Sequence, residues 1–139
     1  MASLAQIRQG LAANLAVLDG IQVSAYVLGN PTLPTVWVRP ATAEGIEYHR
    51  AFANGLENWT FTVQAFFASG ISDIGAQQKL DELLASTGAT SVKAALETDK
   101  TLGGLVKDLI VQTCTGYLEY GRPDGTTALG CDWTVVVYP

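Results

Sequence analysis

Charge is scarce in this 139-residue chain. Asp, Glu, Lys and Arg make up 15% of it, against about 25% in an ordinary soluble domain, while hydrophobic residues reach 48%. A surface so poor in charge fits one covered by partners; the alternative is a well-packed monomer coated with Thr, Ser and Gly. Basic residues are the scarcer sign: eight Lys and Arg face thirteen Asp and Glu, for a formal net charge of −5 and a pI of about 4.6. They are scattered (Arg8, Arg39, Arg50, Lys79, Lys93, Lys100, Lys107, Arg122), and no run of them follows a phosphate backbone. A nucleic-acid-binding module is therefore disfavoured. An acidic protein can still let DNA pass, because repulsion prevents sticking.

No apolar run approaches the ~20 residues that span a bilayer, so no membrane partner is expected. The N-terminus lacks the basic start, apolar stretch and cleavage site of a secretory signal, so a cytoplasmic protein is the expectation. There is one histidine, His49, and there are two cysteines, Cys114 and Cys131. Neither cysteine has a nearby His or a Cys-x-x-Cys partner, which argues against a metal site. In a cytosolic-looking chain such cysteines are most often reduced and inert. They also fall on two strands expected to be antiparallel neighbours, which permits a cross-strand disulfide in an oxidising medium.

The length fits one domain, 1–139, with one core. Ser3 and Gln6 form a capping box, and Leu4, Ile7, Leu11, Leu15 and Leu18 recur at helical spacing, predicting a helix over 4–18 that ends at Asp19-Gly20. Strand character follows at 21–28 and at 35–39, where Pro34 and Pro40 bracket Val36 and Val38 on one face and Trp37 on the other. A short strand is expected at 45–48 and a loop at 49–56. The segment 59–67 alternates, with Trp59, Phe61, Val63 and Ala65 on one face and Thr60, Thr62, Gln64 and Phe66 on the other. Ser72 is placed to cap a helix over 73–86, with Ile74, Ala76, Leu80, Leu83 and Leu84 as its apolar side, and Ser91 to cap a short helix over 92–97. Residues 105–120 and 126–138 read as strands joined by the turn Gly121-Arg122-Pro123-Asp124-Gly125. In the first of these, Leu109, Val111, Thr113 and Thr115 are expected to alternate with Ile110, Gln112 and Cys114. The order predicts an α+β fold: a single mostly antiparallel or mixed sheet, two main flanking helices and a long C-terminal β-hairpin.

Signatures of chemistry are sparse. His49 sits in a loop-like stretch without a nucleophile turn, and the acids are dispersed, with Asp81 and Glu82 on the polar side of their helix. Gly70 and Gly103-Gly104 match neither phosphate-binding fingerprint. No catalytic residue, cofactor or metal is expected. The aromatics carry more: Trp37, Tyr48, Phe52, Trp59 and Tyr120 lie at strand ends, an edge strand and loops. Most should be core, but large aromatics also anchor interfaces. The subunit-interface candidates are Arg50, Phe52, Asn54, Tyr120 and Arg122, with Phe52 the favoured anchor.

The second half also forms an ordered series: Leu80-Asp81-x-x-Leu84-Ala85, Gly88, Ser91-Val92-Lys93-Ala94-Ala95-Leu96-Glu97, Leu102-Gly103-Gly104, a β-rich run to Gly116-Tyr117, then Leu129-Gly130-Cys131-Asp132-Trp133-Thr134-Val135. Together with the opening helix, the Pro-bracketed strand and the Tyr48/Arg50/Gly55 loop, it resembles the tail terminator (tail-completion, neck) proteins of long-tailed phages infecting actinobacteria. The resemblance covers nearly the whole chain and is one of pattern. It implies a sheet flanked by helices and a hexameric ring that caps the head-proximal end of the tail tube. Such a ring stops tube polymerisation and joins the tube to the head connector. The implied partners are further copies of the chain, the tail tube protein and the head-closure protein, with DNA only passing through. The implied location is the virion neck, after assembly in the host cytoplasm. The alternatives are a head-closure or other neck subunit and, from another class, a small-molecule-binding domain or enzyme.

Overall fold

The structure, a computed structural model, describes residues 3–28, 33–41, 46–47, 58–67, 74–122 and 125–138. Helix α1 spans Leu4–Leu15 and opens on the expected capping box: the Gln6 amide N–H donates to Ser3 Oγ, and the Ser3 N–H to Gln6 Oε1. Its stripe buries Ile7, Leu11 and Leu15 completely. The helix closes three residues earlier than its periodicity predicts. There the Ala16 N–H is shared between the carbonyls of Ala12 and Ala13, and Leu18 returns to the core on the turn that follows. Gly20 takes φ +72°, the left-handed conformation that a glycine past a helix supplies at low cost.

Strands β1 (Gln22–Ser24), β2 (Thr35–Pro40), β3 (Ile46–Glu47), β4 (Asn58–Phe67), β5 (Asp108–Gly121) and β6 (Thr127–Tyr138) form one six-stranded sheet. Its order is β1-β2-β4-β6-β5, with β3 paired to the start of β4. The β1/β2 pair is parallel and the other pairs are antiparallel, so the sheet is mixed, and β5–β6 is the C-terminal hairpin. The strand expected over 21–28 keeps three residues. Helices α2 (Ile74–Leu84) and α3 (Val92–Leu96), the latter extended by a 3-10 turn at Glu97–Asp99, pack with α1 on one side of the sheet. The core is the meeting of Ile7, Leu11, Leu15, Leu80, Leu83 and Leu96 with Val36, Val38, Phe61, Val63, Leu109, Trp133 and Val135. Ile74 departs from the expected apolar side of α2: it is 70% exposed, while Ala76, Leu80 and Leu83 bury the face. Ser72 and Asp73 lie outside the described residues.

Two local devices tie the helices down. Arg8 donates from Nε to the Ala25 carbonyl and from an Nη to the Val38 carbonyl, both at 2.8 Å, and its guanidinium lies 4.3 Å from the Tyr26 ring centroid. Ser91, fully buried, caps α3 as expected by accepting from the Ala94 N–H and donating to the Ala85 carbonyl.

The strict alternation expected along β5 does not hold. Register shifts fall between Val111 and Thr113 and between Thr115 and Leu118. Each extra residue turns the following side chains to the other face. Cys114 therefore stands opposite Trp133, against the core, while Thr113 and Thr115 oppose Thr134 and Asp132 on the outer face. Gly116, at φ +70°, sits within the second bulge. The hairpin turn closes through the Arg122 N–H to the Thr126 carbonyl (2.8 Å) and the Gly125 N–H to the Arg122 carbonyl (3.0 Å), with Gly125 at φ +85°. No helix among the described residues is long and apolar enough to cross a membrane.

Candidate functional site

The helices cover one face of the sheet. Alternation along β2, β4, β6 and β5 sends a second set of side chains to the opposite face, and among the described residues no helix covers it. Across this face runs an aromatic band. The Trp37 and Phe66 rings are 5.1 Å apart, and the Phe66 and Tyr120 rings meet edge to face at 5.3 Å. The register explains the contact: Phe66 of β4 opposes Gly130 of β6, which in turn opposes Leu118 of β5, two residues before Tyr120. A Cβ on Gly130 would stand 2.5 Å from the Ala65 carbonyl oxygen and 2.7 Å from the Phe66 ring. Glycine is thus what lets the ring lie across β6 towards Tyr120. The Tyr120 hydroxyl donates to the Gly116 carbonyl at 2.7 Å, so the bulge fixes the far end of the band.

A polar line runs beside the rings. Trp37 Nε1–H donates to Gln64 Oε1 at 2.7 Å, and Gln64 Nε2 donates to Asp132 Oδ1 at 3.2 Å. One amide thus serves as acceptor and donor and locks the line. Burial pushes the Asp132 carboxyl above its ordinary range, although the Gln64 bond and the Arg39 charge offset part of this. Burial also raises Tyr120, reinforced by the negative charge of Asp132. Beside the band Leu118 is 49% exposed, while further along the same face Thr60 and Val136 are buried.

Of the interface candidates read from the sequence, Tyr120 is part of the band and Arg122 begins the hairpin turn beside it. Arg50, Phe52 and Asn54 lie outside the described residues, as do Tyr48 and His49. Trp59, an aromatic weighed for the same role, belongs to the core. Sequence reasoning missed Gln64, Phe66, Asp132, Gly130 and Leu118 as members of a site. The outward parity of Gln64 and Phe66 was legible; the register that joins them to β5 and β6 was not.

An open groove of about 550 Å³ lies between the end of α1, the start of β1 and α2. Its walls are largely apolar (Leu18, Ile21, Phe67, Ala76, Leu83), with Lys79 and Glu82 among its lining residues. Among the described residues no three His, Cys, Asp or Glu side chains gather as a metal site would need. What this arrangement offers chemically is a preorganised contact surface. No protein-family model matches the chain, and no curated protein matches it.

Proposed function

We propose that this protein is a structural subunit of a phage virion: a tail terminator that assembles with copies of itself into a ring, hexameric by resemblance, which caps the tail tube and joins it to the head connector. The observation that carries this reading is the sheet face that no helix covers among the described residues. That outer face presents Trp37 and Tyr120, each in contact with Phe66, with Leu118 half exposed beside them, a composition suited to burial against another protein. Low charge elsewhere supports it, since a ring subunit meets neighbours on two sides and other virion proteins above and below. The acidic balance fits as well: six copies at −5 carry about −30, and DNA passes such a wall without adhering.

Electron microscopy of purified phage particles labelled for this protein tests the proposal. Label at the head–tail junction is expected, and loss of the chain should give tails of uncontrolled length. Label absent from the neck overturns the reading. Neck label with tails of normal length, detached from heads, selects a head-closure role instead.

A further inference from the structure

Among the described residues β5 ends the sheet, with β6 as its neighbour on one side. The backbone N–H groups on the other side of such a strand are a template for pairing with another chain. In the regular stretch of β5 before its first bulge, two of these groups are already taken. The Leu109 N–H donates to Asp108 Oδ1 at 2.9 Å, and the Val111 N–H donates to Glu97 Oε2 at 3.4 Å. Neither bond runs to β6, as expected of two residues whose N–H groups share the free side. A lysine steadies each carboxylate: Lys93 Nζ donates to Glu97 Oε1 at 2.6 Å, and Lys100 Nζ lies 3.6 Å from Asp108 Oδ1. Glu97 thus reaches from the 3-10 turn after α3 to the margin of the sheet.

The same stretch is complementary to itself. A second β5, antiparallel about a two-fold axis at Ile110, sets Leu109 opposite Val111 of the other copy and Val111 opposite its Leu109. Residues paired with their polar groups facing exchange both N–H···O bonds. Between these pairs Ile110 meets the Ile110 of its counterpart on the outer face, where it is 38% exposed. No charged residue lies between Leu109 and Leu118, so the strand itself carries no charge to repel an identical strand. A contact of this kind uses the same patch on both copies. Nothing can form it while the Leu109 and Val111 donors are occupied.

We propose that Glu97 and Asp108 act as an edge guard, an autoinhibitory contact that keeps β5 from pairing with the β5 of a second copy. The two carboxylates take the donors that this pairing needs, and Lys93 and Lys100 hold them in place. The bulge after Val111 completes the guard by ending the regular edge. The device does not depend on the ring reading above.

The test compares the whole protein with a Glu97→Ala/Asp108→Ala variant by analytical ultracentrifugation over a range of concentrations. The variant should double its mass as concentration rises, and wild type should show no such dimer. In the dimer the Leu109 and Val111 amides should gain protection from hydrogen exchange. Adding Ile110→Lys sets like charges opposite each other at the axis and should abolish the dimer. A folded variant that dimerises no more than wild type overturns the proposal, as does a dimer that survives Ile110→Lys. Wild-type protein that forms the Ile110-dependent dimer with its guard intact overturns it too. If the alanine pair prevents folding, Glu97→Gln/Asp108→Asn keeps the side-chain shapes and releases the lysines, and the same outcomes decide.

Discussion

Arg8 reaches from α1 to two strands at once, and its two carbonyl acceptors set a geometry that a lysine cannot copy. Arg8→Lys keeps the charge but loses at least one of the two bonds and the planar contact with Tyr26. Bonds from charged donors are worth about 1.5–3 kcal/mol each, so a loss of about 2 kcal/mol is expected by urea denaturation. A loss below ~0.5 kcal/mol would mean that water replaces the guanidinium without penalty. Gly130 is the opposite case, a residue that matters for what it leaves out. Its missing Cβ makes room for a backbone carbonyl and an aromatic ring, and the carbonyl cannot move without breaking the β4–β6 ladder. Gly130→Ala should therefore cost at least ~2 kcal/mol. Near-ultraviolet circular dichroism should also change, because Phe66 must leave its place between Trp37 and Tyr120.

Elements with local signals were legible in the sequence. The capping box of α1, the Ser91 cap and the alternation of β4 each depend on residues a few positions apart, and each appears where periodicity puts it. The Ser91 cap has a measurable weight. Ser91→Ala leaves the Ala94 N–H and the Ala85 carbonyl without their buried hydroxyl partner, and a loss of about 1–2 kcal/mol in thermal or urea unfolding is expected. A change near zero would show that α3 holds its first turn by packing alone. What the sequence hid was non-local. In β5 two bulges reverse the side-chain parity, and nothing in the run Val111–Leu118 announces them except Gly116, whose positive φ is an occupancy only the fold reveals. Similarly, Gly10 in the middle of α1 reads as a weakness of about 1 kcal/mol. Its purpose becomes visible once Leu102 is seen packed on it, 3.2 Å from where a Cβ would stand. Leu102 is itself held at φ +51° by a turn in which the Asp99 carboxylate accepts from the Thr101 and Gly103 N–H groups. The candidate site was partly legible for the same reason: Tyr120 could be chosen from its position near a hairpin tip, whereas its partners Phe66 and Asp132 required the register of three strands.

At the scale of the whole molecule, two carboxylates should pull stability in opposite directions with pH. Burial raises Asp132 above its ordinary 3.8, against the Gln64 bond and the Arg39 charge. The folded state then holds that proton more tightly than the unfolded chain, so the Asp132 contribution falls as pH rises from 3.8 through its folded value. Glu97 is the reverse. Burial pushes it up, but bonds from Lys93 and the Val111 N–H, with the charges of Lys93 and Lys100, outweigh burial and hold it below 4.5. Its contribution is present above 4.5 and is lost as pH falls through the lowered value. Relative to wild type, Asp132→Asn should gain stability on going from acid to neutral pH and Glu97→Gln should lose it; parallel curves in urea titrations would contradict both assignments. The outer face links this to the proposed assembly. A carboxyl already reluctant to ionise becomes more so when a neighbour excludes the remaining water, so a contact over Asp132 should tighten as pH falls towards its folded value. Leu118 separates assembly from folding, because half of its surface faces solvent and the core lies on the other side of the sheet. Leu118→Lys should change the unfolding free energy by no more than ~0.5 kcal/mol, yet place a charge that cannot be buried at an apolar contact. If the outer face is where copies meet, the variant should melt like wild type and form no rings under electron microscopy. Intact rings from a well-folded Leu118→Lys protein would move the contact elsewhere, and the aromatic band would then need a different partner.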